Sequence, residues 1–63
     1  MDSFRVKIKR NNRTYKAKAH IDRGILTVNM GAAGAKSAVV SSNNNMLAGM
    51  LLREIVSDFE KGN

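Results

Sequence analysis

The feature that most constrains the fold of this chain is an alternation of apolar and basic residues over positions 4–9 and 15–21. The apolar members are Phe4, Val6, Ile8, Tyr15, Ala17, Ala19 and Ile21. The basic members that alternate with them are Arg5, Lys7, Lys9, Lys16, Lys18 and His20. Side chains of a β-strand point alternately to opposite faces. The pattern therefore predicts two β-strands that share one apolar face and one basic face.

Asn11 and Asn12 separate the two predicted strands and decide how the strands pair. Asn tolerates the positive φ that a two-residue type I′ turn requires. With that turn, the predicted pairs on the basic face are Lys9/Thr14, Lys7/Lys16 and Arg5/Lys18. The predicted pairs on the apolar face are Ile8/Tyr15, Val6/Ala17 and Phe4/Ala19. A turn one residue longer would place apolar side chains opposite basic ones, so the alternation favours this register.

The central part of the chain predicts a third strand and leaves a fourth open. Asp22, Arg23 and Gly24 predict a second tight turn, because Gly adopts the left-handed conformation without strain. A third strand is predicted over residues 25–30. The glycines and alanines of residues 31–36 predict a loop, and residues 37–41 could form a short fourth strand at the sheet edge.

Part of this loop resembles a phosphate-binding motif. Gly31, Lys36 and Ser37 stand at the spacing of G-x-x-x-x-G-K-[ST], with Ala35 in place of the second Gly. The motif needs a helix directly after it, whereas β-branched residues follow here. The sequence therefore predicts a plain loop rather than a nucleotide site.

A polar run at residues 41–45 precedes the last predicted element, an α-helix from about Asn44 to Lys61 with Gly62 as its stop. At about 100° per residue, six apolar residues form one stripe. These are Ala48, Leu51, Leu52, Ile55, Val56 and Phe59. The residues predicted to face away from the stripe are Arg53, Ser57 and Glu60.

Together these elements predict an α+β fold, in which a three- or four-stranded antiparallel meander carries one C-terminal helix on its apolar face. Residues 1–63 are predicted to form a single β-β-β(-β)-α domain, because a chain of 63 residues is near the lower size limit for one core.

Composition excludes several classes of function. The chain has no Cys, so it forms no disulfide. One His without any Cys is too small a ligand set for a structural zinc site. No catalytic constellation is visible, and we expect a protein that is not an enzyme and takes no cofactor or small-molecule substrate. The longest apolar stretch, residues 46–52, is too short to span a bilayer, and the amino terminus lacks the apolar core of a signal peptide. The expected location is therefore cytoplasmic.

The positive charge is concentrated in the predicted hairpin. The net charge is +6, and residues 1–23 carry all of that excess. The predicted register also places Lys7 opposite Lys16 and Arg5 opposite Lys18, which destabilises a sheet. A strand face on which basic side chains alternate without interleaved Asp or Glu favours a polyanionic partner.

The nucleic-acid-binding residues predicted from this charge pattern are Arg5, Lys7, Lys9, Arg10, Arg13, Lys16, Lys18, His20 and Arg23. The central contacts are assigned to Arg5, Lys7, Lys16 and Lys18. The residues expected to clamp flanking phosphates are Arg10, Arg13 and Arg23.

DNA is the favoured polyanion, in duplex form. Single-strand binders stack bases on aromatic side chains, whereas Phe4, Tyr15 and Phe59 are all assigned to the core side. A β-sheet can instead enter the major groove. Three strands followed by one helix is similar in topology to the arm-binding domains of integrases. A fourth strand would make the topology resemble that of single-strand binders with four strands and one helix.

Two further interactions follow from the sequence. Met46, Leu47 and Met50 lie outside or at the edge of the helical stripe. Their surplus apolar surface is explained either by packing of the helix end against the Gly-rich loop or by a homodimer contact, and we predict the dimer. The alternative function is a protein-interaction module or inhibitor that docks the basic sheet, or a strand edge, on an acidic partner protein.

Overall fold

The computed structural model describes residues 2–61, which form four β-strands, a short 3₁₀ turn and one α-helix. The strands are β1 (Asp2–Arg10), β2 (Arg13–Asp22), β3 (Ile25–Asn29) and β4 (Ala35–Val39). The 3₁₀ turn is Gly31–Ala33, and the helix α1 is Asn44–Lys61. The strands pair antiparallel in the order β1-β2-β3-β4, and α1 packs on one face of the sheet. The predicted α+β fold is confirmed, with the fourth strand present. Gly62, the predicted helix stop, lies outside the described residues.

The predicted register of the first hairpin is confirmed. Lys7 is opposite Lys16, and Arg5 is opposite Lys18. The turn residues Asn11 and Asn12 have φ values of 52° and 64°, as a type I′ turn requires at both of its central positions. The sequence alternation and the turn chemistry therefore specify the same pairing.

The turn between β2 and β3 is also a two-residue turn, because Asp22 pairs with Ile25. Arg23 has a φ of 54° and Gly24 a φ of 78°. The left-handed conformation is therefore shared by a glycine and an arginine. This turn keeps Thr27 beside His20 and continues the two-faced sheet into β3.

The prediction of a loop over residues 31–36 is wrong at its last two residues, Ala35 and Lys36, which belong to β4. The backbone N–H of Met30 donates to the Gly34 carbonyl at 2.9 Å, and the Gly34 N–H donates to the Gly31 carbonyl at 3.0 Å. These bonds complete the chain reversal early, so β4 begins at Ala35 rather than at residue 37. Lys36 and Ser37 consequently lie in a strand, without the helix that a phosphate-binding loop needs.

The core lies between the sheet and α1. Its buried sheet residues are Ile8, Ala17, Ala19, Leu26 and Val28. Its buried helix residues are Ala48, Leu51, Leu52, Ile55 and Val56. The predicted stripe is thus confirmed except for Phe59, which is 47% exposed. The last turn of α1 lies over the hairpin tip, where the sheet is only two strands wide and covers less of the helix.

The prediction that Glu60 faces away from the sheet is also wrong. The Tyr15 hydroxyl donates to Glu60 Oε2 at 3.2 Å, and Arg10 Nε lies 3.2 Å from Glu60 Oε1. Both donors belong to the hairpin and reach the last turn of the helix. A second ion pair joins Lys36 of β4 to Asp58 of α1 at 2.9 Å. Two acidic side chains of the helix, Asp58 and Glu60, therefore connect it to β4 and to the hairpin.

Candidate nucleic-acid interface

The face of the sheet opposite α1 carries most of the basic side chains of the four strands, and we call it the open face. Its residues on β1 and β2 are Ser3, Arg5, Lys7, Lys9, Thr14, Lys16, Lys18, His20 and Asp22. Its residues on β3 and β4 are Ile25, Thr27, Asn29, Ala35, Ser37 and Val39. The open face is thus basic on the first two strands and neutral on the last two.

Four cations form a compact square at the centre of the β1–β2 pair. Arg5 pairs across the ladder with Lys18, and the neighbouring pair is Lys7 with Lys16. All four side chains are exposed. Direct opposition of like charges destabilises a sheet by a few tenths of a kcal/mol to about 1 kcal/mol per pair. The square is therefore a local cost to folding.

The cations of the open face have no acidic partner within residues 2–61. The two ion pairs of this part of the chain involve Arg10 and Lys36, which lie toward the helix. Within the same residues, Asp22 is the one acid on the open face, at the end of β2 farthest from the hairpin tip. The charge of the square is therefore not neutralised inside the described protein.

The hairpin extends beyond the rest of the sheet as a two-stranded ribbon. The β2–β3 pairing reaches only as far as Lys18, opposite Asn29, whereas the β1–β2 pairing continues to Arg13, opposite Arg10. Lys7, Lys9 and Lys16 lie on this extension. The helix covers its other face, but the open face of the ribbon is uncovered within residues 2–61.

The remaining predicted site residues lie at different places. Arg10 is on the helix side, where it pairs with Glu60. Arg13 is exposed, and strand alternation puts it on the same side as Arg10. His20 is half-buried on the open face beside Thr27, and Arg23 is exposed in the turn at the opposite end from the hairpin tip. The structure thus brings together the five Lys and Arg residues of β1 and β2 that lie on the open face. It separates Arg10, Arg13 and Arg23 from them.

Three polar residues of the open face were not among the predicted site residues. Asn29 lies beside Lys18, and its Oδ1 accepts a hydrogen bond from the Gly31 N–H at 2.7 Å. The hydroxyls of Thr27 and Ser37 lie 2.8 Å apart on the neighbouring pair of strands. The alternation of β3 is the signal that places Thr27 and Asn29 on this face. Ser37 depends on the start of β4, which the sequence places two residues too late.

The open face of the described residues has no Phe or Tyr. Phe4 and Tyr15 are half-buried against the core on the helix side, as predicted, and Phe59 belongs to α1. Shallow depressions instead run between the basic side chains of this face. The surface therefore offers positive charge and hydrogen-bond donors rather than a stacking platform.

Residues 2–61 contain no group of three His, Asp or Glu side chains placed to hold a metal ion. The helix that these residues form is not both long enough and apolar enough to cross a bilayer.

Comparisons with known proteins return nothing for this chain: no family model, no curated protein and no solved structure matches it.

Proposed function

We propose that this protein binds nucleic acid, and duplex DNA in the first place, through the open face of β1 and β2. One observation carries the proposal. Arg5, Lys7, Lys9, Lys16 and Lys18 are exposed on one face, share one sign of charge, and have no acidic partner within residues 2–61. A polyanion would neutralise the repulsion that these cations impose on the sheet.

The shape of the cationic surface favours a duplex over a single strand. The major groove of B-DNA is about 12 Å wide and admits a two-stranded β-ribbon. The β1–β2 ribbon continues past Asn29 without a third strand beside it. The open face of the described residues also lacks the Phe or Tyr side chains on which single-strand binders stack bases.

The proposal is tested by fluorescence anisotropy with a random-sequence duplex and the matching single strand, each at several salt concentrations. We expect tighter binding to the duplex and an affinity that falls with salt. If all five cations contact phosphates, the log–log slope reaches about −4.5, because each contact contributes about −0.9.

A matched pair of variants locates the surface. Lys7→Gln and Arg53→Gln each remove one positive charge, but Lys7 is on the open face and Arg53 is exposed on the helix. We expect Lys7→Gln to weaken binding severalfold and to reduce the salt slope by about 0.9. Arg53→Gln should leave both nearly unchanged. Equal effects of the two variants, or no affinity of the wild type for either DNA at low salt, would contradict the proposal.

A second candidate function rests on the edge of the sheet. β1 is nine residues long and pairs with β2 on one side only within the described residues. Such an edge presents backbone N–H and C=O groups to an incoming strand, and the basic side chains of β1 would favour an acidic segment. Titration with an extended acidic peptide, followed by ¹H–¹⁵N spectra, tests this candidate. Shifts confined to the backbone amides of β1 would support it over DNA binding.

We also propose that the protein forms a homodimer through the outer side of α1. Met46 is 63% and Met50 is 52% exposed, one helical turn apart. Leu47, the third predicted contact, is half-buried against the core and is left out of this surface. Sedimentation equilibrium at micromolar concentration should show a dimer that Met50→Lys weakens, and a wild type that remains monomeric would refute it. A cytoplasmic location remains part of the same proposal.

A further inference from the structure

A shallow depression of about 340 Å³ lies on the open face where β3 ends beside β2. Its lining residues are Arg5, Lys16, Ala17, Lys18, Asn29 and Met30. Three of these side chains are cationic and none is acidic. The depression is thus the place where the cation square meets the neutral half of the open face.

The amide of Asn29 is oriented by a hydrogen bond to the backbone. The Gly31 N–H donates to Asn29 Oδ1 at 2.7 Å, which fixes the oxygen toward the turn. The Nδ2 group then keeps its two N–H donors for other partners. Within residues 2–61, no hydrogen bond uses them. Asn29 therefore contributes donors to the depression, and its acceptor is already engaged.

The turn that holds this amide is itself closed by hydrogen bonds. Met30 N–H donates to the Gly34 carbonyl at 2.9 Å, and Gly34 N–H donates to the Gly31 carbonyl at 3.0 Å. Gly31 has a φ of 67°, a conformation that glycine adopts without strain. The turn thus presents the Gly31 N–H to Asn29 before any ligand arrives, and the orientation of the amide is preorganised.

We propose that this depression is a phosphate-binding subsite, in which Arg5, Lys16, Lys18 and the Nδ2 group of Asn29 donate to the oxygens of one phosphate. Every nitrogen-bearing side chain that lines it is a hydrogen-bond donor, which suits an oxyanion that only accepts. The inference rests on the proposed function and deepens it, because a phosphate held here would fix the register of the nucleic acid on the ribbon.

Asn29→Asp is the variant that isolates the subsite. The carboxylate keeps an oxygen for the Gly31 N–H but replaces the outward donors with an acceptor of negative charge. Asn12→Asp is the matched control, since it makes the same chemical change at the exposed hairpin tip. Aspartate tolerates the positive φ of that turn. A retained Gly31 amide resonance and a melting temperature no lower than that of the wild type would show that both variants fold.

The first measurement uses inorganic phosphate as the probe, at constant ionic strength maintained with sodium chloride. In ¹H–¹⁵N spectra of the wild type we expect saturable shifts of the Asn29 side-chain NH₂ and of the Gly31 N–H. Asn12→Asp should retain these shifts, and Asn29→Asp should lose those of Gly31. Shifts that follow chloride as closely as phosphate, or that appear equally in Asn29→Asp, would overturn the subsite.

The second measurement uses duplex DNA and separates the two sources of phosphate. Asn29→Asp should weaken binding about tenfold, since a hydrogen bond to a charged group is lost and repulsion replaces it. Asn12→Asp should weaken it by much less. If the ligand is an internal phosphodiester, removing the 5′-phosphates of the duplex changes nothing. If it is a terminal phosphate, their removal abolishes the difference between the two variants.

The outcomes distinguish this inference from the proposed function. A wild type that binds phosphate at Asn29 but not DNA would refute the proposed function and leave an oxyanion site. A wild type that binds DNA, with equal losses in Asn29→Asp and Asn12→Asp, would refute the subsite and leave the basic face as the binding surface.

Discussion

The two faces of the β1–β2 hairpin are built from the same strands and differ in nearly every physical respect. On the helix side, Ile8 and Ala17 are each 8% exposed and pack in the core. On the open side, Lys7 and Lys16 are exposed and directly opposed. Apolar burial on the helix side stabilises the folded state, whereas like-charge repulsion on the open side destabilises it.

A second contrast concerns the arginines of β1. Arg10 lies on the helix side and pairs with Glu60 at 3.2 Å. Arg5 lies on the open face opposite Lys18, with no acidic partner within residues 2–61. A cation that is paired inside the protein contributes to holding the helix, and a cation that is left unpaired is available to a ligand. The same residue type therefore has different consequences according to the side of the strand on which it lies.

The largest predicted effect concerns the helix side. Leu52 is fully buried in the core, and Leu52→Ala should reduce the free energy of unfolding by about 2–5 kcal/mol. Arg53→Ala is the control, because Arg53 belongs to the same helix but is exposed. Urea denaturation of the two variants measures both effects. An Arg53→Ala loss as large as that of Leu52→Ala would contradict the location of the core between the sheet and α1.

The next prediction concerns the open face, where stability and affinity should change in opposite directions. Lys16→Thr removes one member of the Lys7/Lys16 pair. It should raise the free energy of unfolding by roughly 0.2–1 kcal/mol, because repulsion is relieved and Thr suits a strand. It should also weaken duplex binding and lower the salt slope by about 0.9. Higher stability with unchanged affinity and slope would remove the open face from the proposed interface.

The hairpin and the helix are the parts that the sequence predicts well, because their signals are local. The alternation over β1 and β2, together with Asn11 and Asn12, determines the register, since a shift of one residue would expose the whole apolar set. The helical period likewise places five of the six stripe residues in the core. These features need no knowledge of distant parts of the chain.

The features that the sequence does not predict depend on where elements end in space. Phe59 has the period of a core residue, but the sheet beneath the last helical turn is too narrow to bury it. Glu60 has the period of a solvent-facing residue, but Arg10 and Tyr15 reach it from the hairpin. The donor orientation of Asn29 similarly requires the Gly31 turn. Such contacts arise from tertiary placement, which a periodic pattern does not contain.

A smaller effect on stability is predicted for the two arginines of β1, Arg5 and Arg10. Arg10→Gln should lower the free energy of unfolding by at most about 0.2–1 kcal/mol, because Arg10 and Glu60 are partly exposed and solvent weakens their attraction. Arg5→Gln should leave stability unchanged or raise it, since Arg5 faces Lys18. Urea denaturation at low and high salt checks both. The Arg10→Gln loss should shrink as salt increases, and an equal loss in Arg5→Gln would contradict the contrast between the faces.

The smallest predicted effect concerns Lys36, the one lysine of the sheet whose side chain turns toward the helix within the described residues. Its hydrogen bond to Asp58 raises the pKa of Lys36 above the ordinary value of 10.5, and the charges of Asp58 and Glu54 act in the same direction. A group whose pKa is raised by folding stabilises the protein fully below its unfolded pKa and loses that contribution as the pH rises further. The melting temperature of wild type should therefore exceed that of Lys36→Gln at pH 9, and the difference should shrink above pH 10.5. A difference that stays constant from pH 9 to beyond 10.5 would show that the bond to Asp58 does not stabilise the charged form.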